Sequence, residues 1–179
     1  MTKNEIISLL TVNHRQFVAE FKAMNENQFT VSANGKWNSS QQLDHIIRAV
    51  QPVVFAFSLP AILLRLFFGR PNRLSKSFPE LVAKYQTKLA AGGRASGRFV
   101  PKGFPFTEKE KAIEQLNRLV EKLNTKVQAK GENELDELLL PHPLLGKLTL
   151  REMLYFTAYH AEHHRTNTII NLQTVSTRT

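Results

Sequence analysis

Apolar residues recur at helical spacing in four separated segments, with polar residues filling the positions between them. From Lys3 to Met24, the residues Ile6, Leu10, Phe17, Phe21 and Met24 stand three, four or seven apart. That is the single stripe of an amphipathic helix, and His14 lies on it. A second helix is expected from about Trp37. Asn38 is its cap, Gln41 completes a capping box, and Leu43, Ile46, Ile47 and Val50 continue it. A third runs from Glu108 to about Lys130, with Ile113, Leu116, Leu119, Val120, Leu123 and Val127 on one side, charged residues on the other, and Gly131 as a stop. A fourth runs from about Thr149 to Leu172, with Leu150, Met153, Leu154, Thr157, Ala161, Thr168 and Leu172 along one face. The string HPLLGKLT before it reads as a turn. No alternating strand pattern competes, so the fold class is all-α. Four helices of roughly 20 residues, each about 30 Å long, make a four-helix bundle, expected as a single domain over residues 1–179.

The second and third helices are joined by a long crossover, residues 59–107. Its start overlaps the most apolar stretch of the chain, Val50 to Phe68, which Pro52, Pro60 and Arg65 interrupt. A membrane span needs roughly 20 largely unbroken apolar residues. The stretch therefore reads as a buried continuation of the second helix, kinked or broken near Pro60. A lid or dimer surface built from Leu63, Leu66, Phe67 and Phe68 ranks next, and membrane anchoring last. Residues 90–107 form a basic, glycine-rich loop carrying Arg94, Arg98 and Lys102, a flexible flap whose glycines lack the phosphate-loop spacing. Residues from about 174 to 179 read as a flexible tail.

The formal net charge is +9, from 24 Lys and Arg against 15 Asp and Glu. All of it sits within residues 27–107, where 11 cations face only Asp44 and Glu80. A solvated basic face is the first reading, a site for anionic small molecules the second, and nucleic acid or an acidic membrane surface the third. Aromatic residues are not interleaved with the cations as stacking platforms require, so nucleic acid is not an expected partner. The chain has no cysteine, which excludes disulfide scaffolds, thiolate metal sites and cysteine nucleophiles. The segment MTKNEIISLL lacks signal-peptide features, so a cytoplasmic protein is expected.

Three of the six histidines fall in the string YHAEHHR. Four residues apart on a helix, His160 and His164 share a face at a spacing that suits two ligands of one metal ion. His163 lies toward the edge of that face. Ala161 stands where the zincin motif H-E-x-x-H has its general base. His45, among Leu43, Ile46 and Ile47, is a third imidazole in an apolar setting, where a neutral metal-bound ring is satisfied and a protonated one costly. Together they give a three-nitrogen site with open positions, the pattern of catalytic rather than structural metals. The ion is divalent, and Zn, Ni, Fe and Mn all suit such a site. Asp44 and Glu162 face away from the ligand histidines. His14 and His142 are the candidates for proton transfer, with His142 alternatively a turn residue. Arg94, Arg98 and Lys102 are expected near the mouth of the metal cavity, favouring acidic substrates.

The segment KWNSSQQLDH, Lys36 to His45, with Trp37 eight residues before His45, resembles the second helix of the DinB-like/YfiT-like superfamily. The segment from His142 to His164 is similar to that superfamily's last loop and helix, although Asn167 stands where many relatives have Gln. The resemblance implies an up-up-down-down bundle with a divalent metal on His45, His160 and His164. It also implies hydrolase chemistry, or transfer of low-molecular-weight thiols such as bacillithiol or mycothiol, commonly in homodimers. The leading expectation is thus a metal-dependent enzyme activating water or a thiol on a small-molecule substrate. The alternative is a non-catalytic binding protein using the bundle cavity and basic central segment for an anionic ligand. A third reading is a metal-free dimer whose histidines only pack the core.

Overall fold

The computed structural model describes residues 1–32 and 35–176. The elements, in order, are α1 (Lys3–Ala23), α2 (Glu26–Thr30), α3 (Ser39–Phe57), α4 (Ala61–Phe68), α5 (Phe78–Ala90), α6 (Lys109–Gln128), α7 (Glu134–Glu137), β1 (Leu139–His142), β2 (Gly146–Thr149) and α8 (Leu150–Ser176). The four expected segments correspond to α1, α3, α6 and α8, which form the bundle. Capping boxes start several helices: Thr2 with Glu5 on α1, Asn38 with Gln41 on α3, and Ser77 with Glu80 on α5. Thr149 and Glu152 do the same for α8, each side chain bonded to the other's backbone N–H at 3.2 and 2.9 Å.

Pairings between side chains and backbone fix the helix directions. Arg151 reaches the Met1 carbonyl, Asn13 the Ala158 carbonyl, and Arg165 the Glu20 carboxylate, so α1 and α8 run parallel. The Lys109 ammonium, buried at the start of α6, donates to the Lys22 and Met24 carbonyls at the end of α1 and neutralises its negative dipole end. At the other end Lys3 donates to the Gln128 carbonyl, so α6 is antiparallel to α1. On α3, His45 faces His160 and Gln42 faces His164, so α3 is antiparallel to α8. The directions along the chain are up, down, down, up, and taken around the bundle they are up-up-down-down. The parallel pair α3 and α6 requires the long crossover.

That crossover holds more order than its sequence suggested. The apolar run breaks after Phe57, and α4 departs from α3 at 111°. Among the described residues no single helix is long and apolar enough to cross a membrane; only this bent pair passes on length and composition. Leu64 is buried, whereas Ile62, Leu66 and Phe67 are exposed. Leu81 and Tyr85 of α5 pack into the core, four residues apart. The expected turn before the last helix is the tip of a hairpin in which Leu140 pairs with Leu148 and His142 with Gly146. Strands of four residues are too short to show alternation. Gly146 has φ +78°, a conformation open to glycine and costly for other residues. Helix α8 continues to Ser176, past the expected start of the tail, and residues 177–179 lie outside the described ones.

Candidate metal centre

His45 comes from the second turn of α3, and His160 and His164 from the middle of α8. All three are buried, at 5–6% exposure, with ligand-capable nitrogens within 4.8 Å of one another. The Nε2 atoms of His45 and His164 lie 3.2 and 3.0 Å from Nε2 of His160. Two nitrogens bound tetrahedrally to one ion at about 2.05 Å would be about 3.3 Å apart, so the three rings stand close to ligand spacing.

The outer nitrogens set the tautomers. His45 Nδ1–H donates to the Phe99 carbonyl at 2.7 Å. His164 Nδ1–H donates to Gln42 Oε1, whose orientation follows from its amide NH2 pointing at the Trp37 carbonyl. Both rings therefore turn an Nε2 lone pair toward His160 Nε2. One proton on His160 could satisfy only one of them, whereas a cation at the common point satisfies all three. Burial holds the three imidazoles below their ordinary pKa, His160 and His164 well below it, which favours the neutral form that can ligate a metal. Trp37 lies over the group, 4.9 Å from the His45 ring, and Phe156 stacks on His160 at 4.6 Å.

His163 takes the edge position its helical angle predicts. Its Nε2 accepts from the Asn167 amide at 3.0 Å, and the edge of Tyr85 packs against the ring. His142 is a turn residue: its Nδ1 accepts the Leu144 and Leu145 N–H groups, each at 3.1 Å. The proton of the neutral ring is therefore on Nε2, burial lowers its pKa to about 4, and the ring lines the cavity beside the histidine group. His14 is not among the residues lining that cavity. It is fully buried on α1, donates from Nδ1 to the Leu10 carbonyl at 2.9 Å, and is pushed by burial to a pKa of about 4.

The basic loop is pinned rather than a free flap. Asp44, buried beside His45, accepts the Lys102 and Gly103 N–H groups at 2.7 and 3.1 Å and Arg48 Nε at 2.8 Å. One turn earlier, Ser40 Oγ donates to the Phe104 carbonyl and accepts its N–H. Consecutive turns of α3 thus hold the segment whose Phe99 carbonyl orients His45. Of the three loop cations, Arg94 and Arg98 line the cavity and Lys102 does not; the Lys102 backbone N–H is bonded to Asp44.

The cavity has a volume of about 730 Å³ and reaches the group at His45 and His160. Tyr85 also lines it, with its ring 6.1 Å from His160. Burial raises the pKa of its phenol, which keeps it a proton donor. Tyr85 had no place in the sequence reading, although the S-x-x-E box before Leu81, Tyr85 and Leu89 signals its helix.

Comparison with known proteins places this arrangement in a wider group. A solved structure described as "TT2238, a four-helix bundle protein" superposes with a TM-score of 0.57 at 15% identity, covering 93% of this chain and 97% of that one. None of the curated proteins compared with the chain matches it. The family model described as the DinB superfamily matches residues 9–166, from within α1 to within α8, and takes in all three histidines. The chain belongs to the DinB superfamily.

Proposed function

We propose that the protein is a metal-dependent enzyme that acts on a small molecule by hydrolysis or thiol transfer. The observation that carries this reading is the convergence of the His45, His160 and His164 Nε2 atoms at one end of a cavity large enough for a substrate. A divalent ion held by three neutral imidazoles keeps open positions and lowers the pKa of a water or thiol placed there.

The chain's own residues supply the rest. Phe99 and Gln42 hold His45 and His164 in the tautomers that present Nε2. Such outer partners orient ligands and set their basicity. Trp37 and Phe156 exclude water from the group's flanks. His142, with its proton on Nε2, and Tyr85, with its phenol kept protonated, are the donors available to an oxygen on the substrate as negative charge develops. Neither offers a free basic atom, because two backbone N–H groups occupy the His142 Nδ1 lone pair and the Tyr85 phenol keeps its proton, so a proton leaving the attacking group would pass to solvent.

Protein purified without a histidine tag should retain about one divalent ion per chain. Ester hydrolysis or thiol transfer measured across a substrate panel should vanish on chelation and return with the ion. Activity unaffected by complete chelation would contradict a metal-dependent enzyme, and failure to take up any ion would favour the metal-free reading in which the histidines only pack the core.

A further inference from the structure

We infer that the cavity selects an organic anion with an extended apolar chain, its charged end at the arginines beside the histidines. This deepens the reading above and rests on it for the cavity being the reaction chamber. Among the α3 residues that line the cavity, His45, Ala49, Val53 and Ala56 are spaced three or four apart and form a track along the helix, with Arg48, Gln51, Pro52 and Phe55 beside it. From His45 to Ala56 that track is about 16 Å long at 1.5 Å per residue. Ala49 and Ala56 have little side chain, which leaves the track open, and Leu89, Leu144, Met153 and Phe156 supply apolar surface elsewhere in the lining.

Charge is confined to one sign. Arg48, Arg94 and Arg98 line the cavity, and no aspartate or glutamate does. Arg48 is answered by Asp44 at 2.8 Å, and it reaches the Arg98 carbonyl at 3.4 Å, which sets the two residues side by side one turn from His45. Arg94 and Arg98 have no carboxylate within ion-pair distance among the described residues. Arg98 holds its guanidinium 5.1 Å from the centre of the Phe99 ring, on the segment whose carbonyl orients His45. Unpaired Arg98 on the segment that orients His45, unpaired Arg94 elsewhere in the lining, and apolar walls along the rest match a ligand that is anionic at one end and hydrocarbon along its length.

Octanoate, octan-1-ol and acetate separate the two requirements when titrated calorimetrically at low salt, with metal content measured on the same sample. A buried methylene is worth about fourfold in affinity, so octanoate should bind about 100-fold or more tightly than acetate even if its chain is only partly covered. It should also bind about tenfold more tightly than octan-1-ol, the scale of a charge-assisted contact. The double variant Arg94→Gln/Arg98→Gln should bring octanoate down to the level of octan-1-ol. Ala56→Phe should weaken both eight-carbon probes and leave metal content unchanged. Octanoate no tighter than acetate, or unaffected by the double variant, would overturn the inference. Selective octanoate binding by protein that holds no metal would uphold the cavity's selectivity while removing the metal reading, so the two failures are distinct.

Discussion

His164→Ala abolishes tight metal binding, and His163→Ala leaves one ion per chain in place: that is the expected result of titrating the two variants with a divalent metal. The neighbours differ by 100° on the helix, and the structure uses that difference. His164 Nε2 is 3.0 Å from His160 Nε2, with its outer nitrogen fixed by Gln42. His163 directs its Nε2 to Asn167 at 3.0 Å and is not one of the three converging nitrogens. Removing His164 leaves two imidazoles from different helices, a set too small to hold an ion firmly. Removing His163 takes away a packing partner of Tyr85 and of the His164 ring, and should cost no more than the 10–100-fold typical of outer-shell changes. Retention of metal by His164→Ala together with its loss from His163→Ala would show the register of α8 to be reversed in function.

The second large effect falls on stability. Glu152 has no exposed side-chain surface, and its carboxylate receives Arg73 through two nitrogens at 2.5 and 2.8 Å, the Lys76 N–H at 2.8 Å and the Thr149 N–H at 2.9 Å. It ties residues 73–76 of the crossover to the first turn of α8 and completes that helix's capping box. Glu152→Ala strips partners from a guanidinium and two amides at once. Arg73 is about a third exposed and can be rehydrated, so the cost falls mainly on the two amides, at about 1–3 kcal/mol for each buried group left unsatisfied. In a chain of this length that lowers Tm by about 10 °C.

The same group predicts a pH dependence. Burial pushes the carboxyl pKa up, but Arg73 and the two amides outweigh it and hold it below the ordinary value of 4.5. Its contribution is therefore complete above about pH 4.5 and is lost as pH falls through the lower folded value. Thermal unfolding followed by circular dichroism at pH 7 and pH 3 should show the gap between wild type and Glu152→Ala narrowing in acid. A loss under about 2 °C at neutral pH would contradict the account.

Much of this architecture was legible in the sequence, for local reasons. The Asn38–Gln41 box and the stripe through Leu43 and Val50 are short-range signals, and α3 begins at Ser39. His160 and His164 share a face by helical geometry alone, and His45 could be added from its apolar neighbours. What escaped depended on partners far along the chain. Asp44 looked idle because it faces away from the ligands, yet it is bonded to amides 58 and 59 residues on, which turns an apparently mobile loop into a fixed wall. The outer partners of His45 and His164 are a backbone carbonyl and a glutamine, groups with no sequence signature of metal chemistry. Arg94 and Lys102 were indistinguishable as loop cations in the sequence, and only Arg94 lines the cavity. Helix α5 is the exception: its capping box and i,i+4 spacing were local signals, overshadowed by the glycine-rich stretch that follows.

X-ray absorption at the metal edge, on tag-free protein dialysed after metal loading, tests the central claim most directly. The account predicts one divalent ion per chain, with three imidazole nitrogens at about 2.0–2.1 Å if the metal is zinc, and open positions filled by light atoms from solvent or ligand. No ion retained after dialysis, or a first shell with fewer than three imidazoles, would contradict it.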